Sequence, residues 1–212
     1  MKRYTKADME KFSHDEFGNL ICPAGDYSQI RSFDNRCSFG KCCSFSERSS
    51  FGEYCSFGYG CSFGEWCTFG KFCTFDKSCR FGEWCSLEEW CSFGKSCSFG
   101  KYCGFGNECS FDERCSFGEW CRFGEWISFG KACSFEDGRV KSGEYFACDR
   151  IGSKRRKTYF FRDGDGNMYV RAGYWFSPLD EFVERVKDVH GGTKYEKEYL
   201  AAVELAKIVL ER

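Results

Sequence analysis

One hexapeptide, of which Cys-Ser-Phe-Gly-Glu-Trp is a representative copy, repeats almost without interruption over residues 33–136. Phenylalanine occupies every sixth position of this tract except at Leu87. From residue 37 onward, cysteine stands two residues before it, except at Ser49 and Ile127. A short fixed period is typical of a solenoid, in which each repeat buries its apolar side by stacking on its neighbours. The repeat therefore predicts a stack of similar coils.

Each repeat contains one short predicted strand. Side chains alternate between the two faces of a strand, so Cys61 and Phe63 lie on one side and Ser62 on the other. Gly64 and Glu65 then turn the corner, and glycine at this place indicates an unusual backbone angle. We expect the cysteines and phenylalanines to fill the interior of the solenoid.

The variable residue three positions after each phenylalanine indicates how many strands form one coil. At a spacing of eighteen residues these variable residues sort into three columns. The first aromatic column is Trp66, Trp84, Tyr102 and Trp120; the second aromatic column is Tyr54, Phe72, Trp90 and Trp126, with Glu108 between the last two; the third column is Cys42, Gly60, Ser78, Ser96, Arg114 and Ala132. At a spacing of twenty-four, aromatic and small residues mix. The sequence thus predicts that each coil has three sides. About six such coils would form a solenoid roughly 28 Å long at 4.8 Å per coil.

The positions of Cys61, Phe63 and Gly64 resemble those of the hexapeptide-repeat, left-handed parallel β-helix family, which has a small residue, an aliphatic residue and a glycine there. The resemblance covers residues 33–136 and implies a triangular, left-handed coil. Phenylalanine in place of an aliphatic residue departs from it and indicates a wider or differently packed bore. Pentapeptide-repeat proteins also place cysteine before phenylalanine, but their period is five. The Cys/Phe tract and C-terminal segment also resemble uncharacterised phage and prophage proteins.

Composition divides the chain into an N-terminal cap (1–32), the β-helix (33–136) and a small α+β domain (137–212). We expect a short helix near residues 5–12 and an irregular first coil from about residue 20, with Ile21 and Tyr27 in the phenylalanine register. The C-terminal domain is predicted to be β-β-β-α-α. Its predicted elements are strands 144–151, 158–162 and 168–172, a hairpin turn at 163–167, a helix capped by Ser177 and ending at His190, and a helix over 193–211.

Charge and cysteine usage limit the classes of partner and compartment. The net charge of −1 argues against a DNA mimic and against a general nucleic-acid binder. Fifteen of the eighteen cysteines share one repeat position, which indicates buried reduced thiols rather than disulfides or a zinc site. Cys22, Cys42 and Cys148 lie outside that register, and Cys42 should face outward. No signal peptide or membrane span is recognised, so a cytoplasmic protein is expected.

Few residues suit catalysis or cofactor binding. Hexapeptide-repeat acyltransferases use a histidine near the coil as general base, whereas His14 and His190, the two histidines of this chain, both lie in its flanks. Asp163, Asp165 and Asn167 are spaced like calcium ligands but lack the rest of that loop, so a hairpin turn is favoured. We therefore expect neither an enzyme nor a bound metal or cofactor.

The two aromatic columns are the strongest candidate binding surface, because contiguous exposed rings are rare on monomers. They predict a dimer or trimer. Its register would be set by two charged rows: a glutamate row interrupted by one lysine (Glu47, Glu65, Glu83, Lys101 and Glu119) and a lysine row (Lys41, Lys77, Lys95 and Lys131). A basic cluster, Lys154, Arg155, Arg156 and Lys157, is a possible contact for phosphate or an acidic protein, although a solvated loop is favoured.

The leading hypothesis is a non-enzymatic, oligomeric binding or scaffold protein. The phage resemblance implies that its partner is a host protein, with inhibition of a host or defence activity as one version. A relative of the hexapeptide acyltransferases and a structural component of the virion are the two alternatives.

Overall fold

The structure is a computed structural model that describes residues 1–124, 127–130, 133–135, 140–141, 145–162, 166–173 and 175–210. It divides into two compact units, residues 1–130 and residues 131–212. Trp126, Lys131, Ala132, Glu144, Asp163, Asp165 and Glu211, named in the predictions above, lie outside the described residues.

The first unit contains a short helix, α1 (Lys6–Met9), followed by strands of two or three residues that recur about every six residues along the repeat. The strands are β1 (Leu20–Cys22), β2 (Ser32–Phe33), β3 (Cys37–Phe39), β4 (Ser44–Phe45), β5 (Ser50–Phe51), β6 (Ser56–Phe57), β7 (Ser62–Phe63), β8 (Thr68–Phe69), β9 (Thr74–Phe75), β10 (Arg80–Phe81), β11 (Ser86–Leu87), β12 (Ser92–Phe93), β13 (Ser98–Phe99), β14 (Gly104–Phe105), β15 (Ser110–Phe111), β16 (Ser116–Phe117), β17 (Arg122–Phe123) and β18 (Ser128–Phe129).

The strands form three parallel sheets. In each sheet a strand pairs with the third strand along the chain, giving the orders β1-β3-β6-β9-β12-β15-β18, β2-β5-β8-β11-β14-β17 and β4-β7-β10-β13-β16. Phe63, for example, lies beside Phe81, eighteen residues later. The pairing confirms a parallel β-solenoid with three sides and eighteen residues per coil.

Phenylalanine rings fill the interior as three ladders. The ring of Phe57 stacks on that of Phe75 in the next coil, with centroids 4.8 Å apart and planes 4° apart. The ring of Phe57 also meets that of Phe63, on the next side of the coil, edge to face at 4.9 Å and 88°. Both arrangements suit the charge distribution of an aromatic ring. This alternation explains how rings replace the aliphatic residues of the family that the repeat resembles.

The predicted role of the corner glycine is wrong. Gly64 does not have a positive φ; the positive φ falls two residues later, at Trp66, where it is 60°. Glycine is needed at residue 64 for close approach, because an added Cβ would lie 2.4 Å from the backbone nitrogen of Glu47 in the preceding coil. At residue 64 the preceding coil therefore leaves no room for a side chain unless the backbone shifts, as it must where Asp76 and Glu88 occupy the equivalent position.

Aromatic rings also cap the first coil. Tyr27 stacks on Phe45 at 5.6 Å, and Tyr4 stacks on Tyr27 at 5.1 Å, which extends one ladder to the N-terminal residues. The prediction for Tyr27 is confirmed, but the prediction for Ile21 is wrong. Ile21 is 43% exposed and Cys22 is 1% exposed, because Cys22 takes the register position of a phenylalanine. Tyr27 follows Cys22 by five positions instead of the six of a full repeat, and a shift of one residue exchanges the two faces of a strand.

The second unit is a small α+β fold. Its elements are β19 (Ser134–Phe135), β20 (Val140–Lys141), β21 (Tyr145–Ile151), β22 (Arg156–Arg162), β23 (Met168–Ala172), β24 (Trp175–Pro178), α2 (Leu179–His190) and α3 (Lys194–Leu210). Strands β21 to β24 form an antiparallel sheet in chain order, and β19 and β20 pair antiparallel. Phe160 and Val170 of the sheet and Phe182 and Val203 of the helices belong to the buried core.

The predicted α+β fold is therefore confirmed, with β24 as a strand that the sequence did not indicate. The predicted cap is wrong: Pro178 occupies the N-cap of α2, and the Ser177 hydroxyl donates to the Pro178 carbonyl oxygen instead. Arg162 pairs with Met168, so the expected hairpin joins β22 and β23, while most of its turn lies outside the described residues. No helix among the described residues is long and apolar enough to cross a membrane.

Candidate functional site

The residue at each coil corner that carries the variable columns has left-handed backbone geometry. Trp66 has a φ of 60°, Trp84 of 58° and Trp120 of 61°. Glycine, asparagine and aspartate adopt this region most readily, and for other residues it costs about 1–2 kcal/mol. The position is thus occupied by large rings that its backbone does not favour, which indicates a different reason for the rings.

The first aromatic column is a continuous stack on the solenoid surface. The rings of Trp66 and Trp84 lie 5.0 Å apart with planes 2° apart, and those of Trp84 and Tyr102 lie 4.1 Å apart with planes 8° apart. Trp84 is 41% exposed, and Trp120, one coil beyond Tyr102, is 64% exposed. The column therefore presents ring edges and faces to solvent over four successive coils.

The second aromatic column is similar but ends sooner within the described residues. Tyr54 stacks on Phe72 at 4.9 Å, and Phe72 stacks on Trp90 at 6.1 Å. The guanidinium of Arg36 lies 5.3 Å from the centroid of the Tyr54 ring. Glu108 follows Trp90 in the next coil. The outward orientation predicted for the described members of both columns is confirmed.

Backbone hydrogen bonds fix the corners that carry these rings. The Trp66 amide donates to the Glu83 carbonyl oxygen at 2.9 Å, and the Trp84 amide donates to the Lys101 carbonyl oxygen at 2.9 Å. Each ring is therefore attached to a corner that is bonded to the following coil. The columns are pre-ordered surfaces, so a partner would lose little conformational freedom in binding them.

The charged rows beside the columns are partly paired within the chain. Lys71 bonds to Glu89 at 3.1 Å, Lys95 bonds to Glu113 at 3.0 Å and Lys101 bonds to Glu119 at 2.8 Å, each pair spanning one coil. Lys77 lies 5.9 Å from the centroid of the Tyr59 ring. Lys95 of the predicted lysine row thus already has a carboxylate partner, Glu113, and Glu119 of the glutamate row already has an ammonium partner, Lys101.

The thiols form a second kind of ladder inside the solenoid. The fifteen cysteines of the repeat register are buried, whereas Cys42 is exposed, as predicted. The Cys61 Sγ donates to the Gly40 carbonyl oxygen of the preceding coil at 3.4 Å. Contact with the thiols of Cys43 and Cys79, followed by burial, raises the pKa of Cys61. No cluster of three or more possible metal ligands occurs among the described residues.

The two histidines lie in different units. His14 is exposed and pairs with Leu20 beside the first coil, whereas His190 ends α2 and stacks on Tyr199 at 5.6 Å. A shallow groove of about 550 Å³ lies over Gly104, which has no side chain to fill it. Its described lining residues do not include a histidine.

The basic cluster lies at the connection between β21 and β22. Lys154 and Arg155 belong to the turn, whereas Arg156 and Lys157 begin β22. The Lys157 ammonium lies 5.6 Å from the centroid of the Tyr159 ring. The sequence indicated a simple loop here, but half of the cluster is anchored in the sheet, and Arg156 lines a pocket of the second unit.

Comparison of this chain with protein-family models, with curated proteins and with solved structures finds no match. The candidate functional surfaces of this chain are the two aromatic columns and the pocket of the second unit that Arg156 lines. The columns combine exposure, order and an unfavourable backbone geometry at one repeated position.

Proposed function

We propose that this protein is a non-enzymatic scaffold that binds a second copy of itself through its aromatic columns and holds a partner protein. The observation that carries the proposal is the exposed stack of Trp66, Trp84 and Tyr102 at corners with positive φ. The part of each ring that stays exposed to solvent contributes little hydrophobic stabilisation to the fold. The positive φ at these positions also disfavours large side chains. Burial of the remaining exposed part of each ring, 41% for Trp84, against a partner gives about 1 kcal/mol more hydrophobic stabilisation per ring.

The repeat itself supports a second copy as the occupant. Rings of one column recur once per coil, with Trp66 and Trp84 centred 5.0 Å apart. Another copy carries the same spacing, so one column matches another over several coils at once. An unrelated partner with a different spacing matches at one coil only. Self-complementary contacts of this kind are the basis of most homo-oligomers.

The oligomeric state of the full chain tests this proposal. We expect light scattering after size exclusion to give a dimer or trimer at micromolar concentration. The double variant Trp66→Asn/Trp84→Asn should be monomeric yet folded, because asparagine tolerates positive φ. The matched control, Glu108→Asn/Arg114→Asn, changes two corners of the same geometry without removing a ring. A monomeric parent chain, or equal assembly by the two double variants, would contradict the proposal.

The nature of the partner protein is a separate part of the proposal. The resemblance to phage and prophage proteins supports a bacterial host protein, with inhibition of its activity as the result. Affinity capture from host lysate, with the Trp66→Asn/Trp84→Asn variant beside the parent chain, tests whether binding depends on the assembled scaffold.

A left-handed coil is proposed on the hexapeptide resemblance, and an experimental structure tests it. Calorimetric binding of an acyl-thioester donor would favour the acyltransferase alternative, and presence of the chain in purified particles would favour the virion alternative.

A further inference from the structure

A pocket of about 300 Å³ lies within the second unit, between the turn after β21, strand β24 and helix α2. Its lining includes Lys154, Arg156, Arg185 and His190 on the polar side, and Trp175 and Tyr199 among its rings. All of these residues come from the one compact unit. The volume lies at the lower end of the range for small-molecule sites.

The polar side of this pocket is cationic. Neither Lys154 nor Arg185 forms an ion pair with a carboxylate of the described residues, and the described lining contains no aspartate or glutamate. The nearby carboxylate of Glu198 accepts a hydrogen bond from the Gly152 amide at 2.8 Å. Lys154 and Arg185 thus line one pocket without a paired carboxylate, and cationic side chains in this situation favour an anionic ligand.

The turn that carries Lys154 is held firmly against the pocket. Gly152 has a φ of 73°, and an added Cβ would lie 2.0 Å from the Tyr199 hydroxyl oxygen, so the turn packs directly on that ring. The Arg185 guanidinium lies 5.1 Å from the centroid of the Trp175 ring. The Trp175 ring therefore positions the Arg185 guanidinium, and the packing of Gly152 on Tyr199 fixes the turn that carries Lys154, while both cationic side chains stay accessible to a ligand from solvent.

The apolar side of the pocket is a group of rings. Trp175 lies 5.8 Å from Phe182, Phe182 meets Tyr199 edge to face at 5.5 Å, and Tyr199 stacks on His190 at 5.6 Å. Such a wall accepts a planar ring by stacking. The pocket thus offers cationic side chains on one side and aromatic surface on the other.

We propose that this pocket binds a small phosphorylated molecule with a planar ring, of the size of a nucleoside monophosphate. Lys154 and Arg185 contact the phosphate, since arginine and lysine are the usual cationic partners of this group. Trp175 and Tyr199 contact the ring. An acidic protein surface fits less well, because a concave site of about 300 Å³ admits a small ligand but not a folded face.

Calorimetric titration of the full chain with AMP, inorganic phosphate and adenosine tests the proposal. We expect AMP to bind at least about tenfold more tightly than phosphate or adenosine alone, because it uses both sides of the pocket. Lys154→Ala and Arg185→Ala should each weaken AMP binding by about tenfold, the usual effect of one charge-assisted hydrogen bond. Lys187→Ala, which removes the same charge from the same helix outside the pocket lining, should leave AMP binding unchanged.

Folding of the variants is checked by circular dichroism, and Arg185→Lys, which keeps the charge, should bind AMP more tightly than Arg185→Ala. Absence of AMP binding at millimolar concentration would overturn the proposal. Equal weakening by Lys187→Ala, or tighter binding of a polyglutamate peptide than of AMP, would overturn it in favour of a general basic surface. None of these outcomes depends on self-association, which the aromatic columns are proposed to provide.

Discussion

The thiol of Cys85 donates a hydrogen bond to the carbonyl oxygen of Gly64 in the preceding coil, with an Sγ to oxygen distance of 3.4 Å. The relationship recurs along the solenoid at a spacing of twenty-one residues, and it persists where the acceptor is Asp76 or Glu88 instead of glycine. The cysteine position therefore combines two roles. It fills the bore between the phenylalanine ladders and gives a corner carbonyl a donor.

Removal of one such thiol should destabilise the solenoid. We expect Cys85→Ala to lower the free energy of unfolding by about 1–3 kcal/mol, because it leaves a small cavity and removes a buried donor. The control Ser86→Ala, on the outer face of the same strand, should change it by less than about 0.5 kcal/mol. Thermal unfolding followed by circular dichroism measures both. Equal melting temperatures for the two variants would show that the thiol contributes nothing.

Two glycines of the solenoid should respond differently to the same substitution. An added Cβ at Gly64 would lie 2.4 Å from the Glu47 nitrogen, whereas one at Gly104 would meet no atom within 4 Å. We expect Gly64→Ala to lower the free energy of unfolding by about 1–3 kcal/mol through overpacking, and Gly104→Ala to be neutral or slightly stabilising. Denaturant titration distinguishes them. Similar losses at both positions would argue against close approach as the reason for the corner glycine.

Leu87 interrupts a phenylalanine ladder, since it pairs with Phe69 on one side and Phe105 on the other. The bore accommodates a ring at the corresponding position of the neighbouring coils. We expect Leu87→Phe to raise the free energy of unfolding by about 1 kcal/mol, through two new stacked pairs. The reciprocal change, Phe93→Leu, should lower it. A loss of stability in Leu87→Phe, measured by thermal unfolding, would mean that this coil is too narrow for a ring.

The attachment of the N-terminal residues to the first coil should depend on pH. Hydrogen bonds from Ser28, followed by the contact with Arg3, lower the pKa of Asp26 to about 2 from 3.8. A carboxyl with a lowered pKa in the fold stabilises it above the unfolded pKa, and this contribution disappears as the pH falls through the folded pKa. We therefore expect the Tyr4 amide, which donates to the Asp26 carbonyl oxygen at 2.8 Å, to lose protection from hydrogen exchange between about pH 4 and pH 2.

Asp26→Asn is the control for this effect, because its side chain does not titrate. Protection of the Tyr4 amide in that variant should not change over the same pH window. A pH dependence that persists in Asp26→Asn would assign the effect to another group.

The period of the sequence was sufficient to predict the coil and its outward residues, because one pattern governs every strand. The eighteen-residue sorting placed Trp66 and Trp84 in one outward column, and the structure stacks them. The repeat pattern did not predict the backbone angles of individual residues. Glycine suggested positive φ at residue 64, but only the packing of successive coils reveals that the glycine is required for space and that Trp66 has the positive φ.

Predictions failed where the repeat is absent. Ile21 and Cys22 exchange faces because the segment before Tyr27 is one residue shorter than a repeat, and no neighbouring copy indicated this. Strand β24 was missed because Trp175–Pro178 is short and leads directly into α2. The pocket of the second unit was not predicted: Lys154 and Arg156 were named as a possible basic contact in a solvated loop, whereas Trp175, Arg185 and Tyr199, which also line it, come from elements distant in sequence.

The three-sided pairing of the strands also has an evolutionary consequence. Loss or duplication of eighteen residues changes the length of the solenoid but keeps every later side chain on its own side. Loss of six residues instead turns all later residues by one side of the prism, so that Trp84 and Tyr102 would no longer continue the row begun by Trp66. Descendants that retain aligned tryptophans should therefore vary in length by whole coils, and their gene should gain or lose segments in multiples of fifty-four nucleotides.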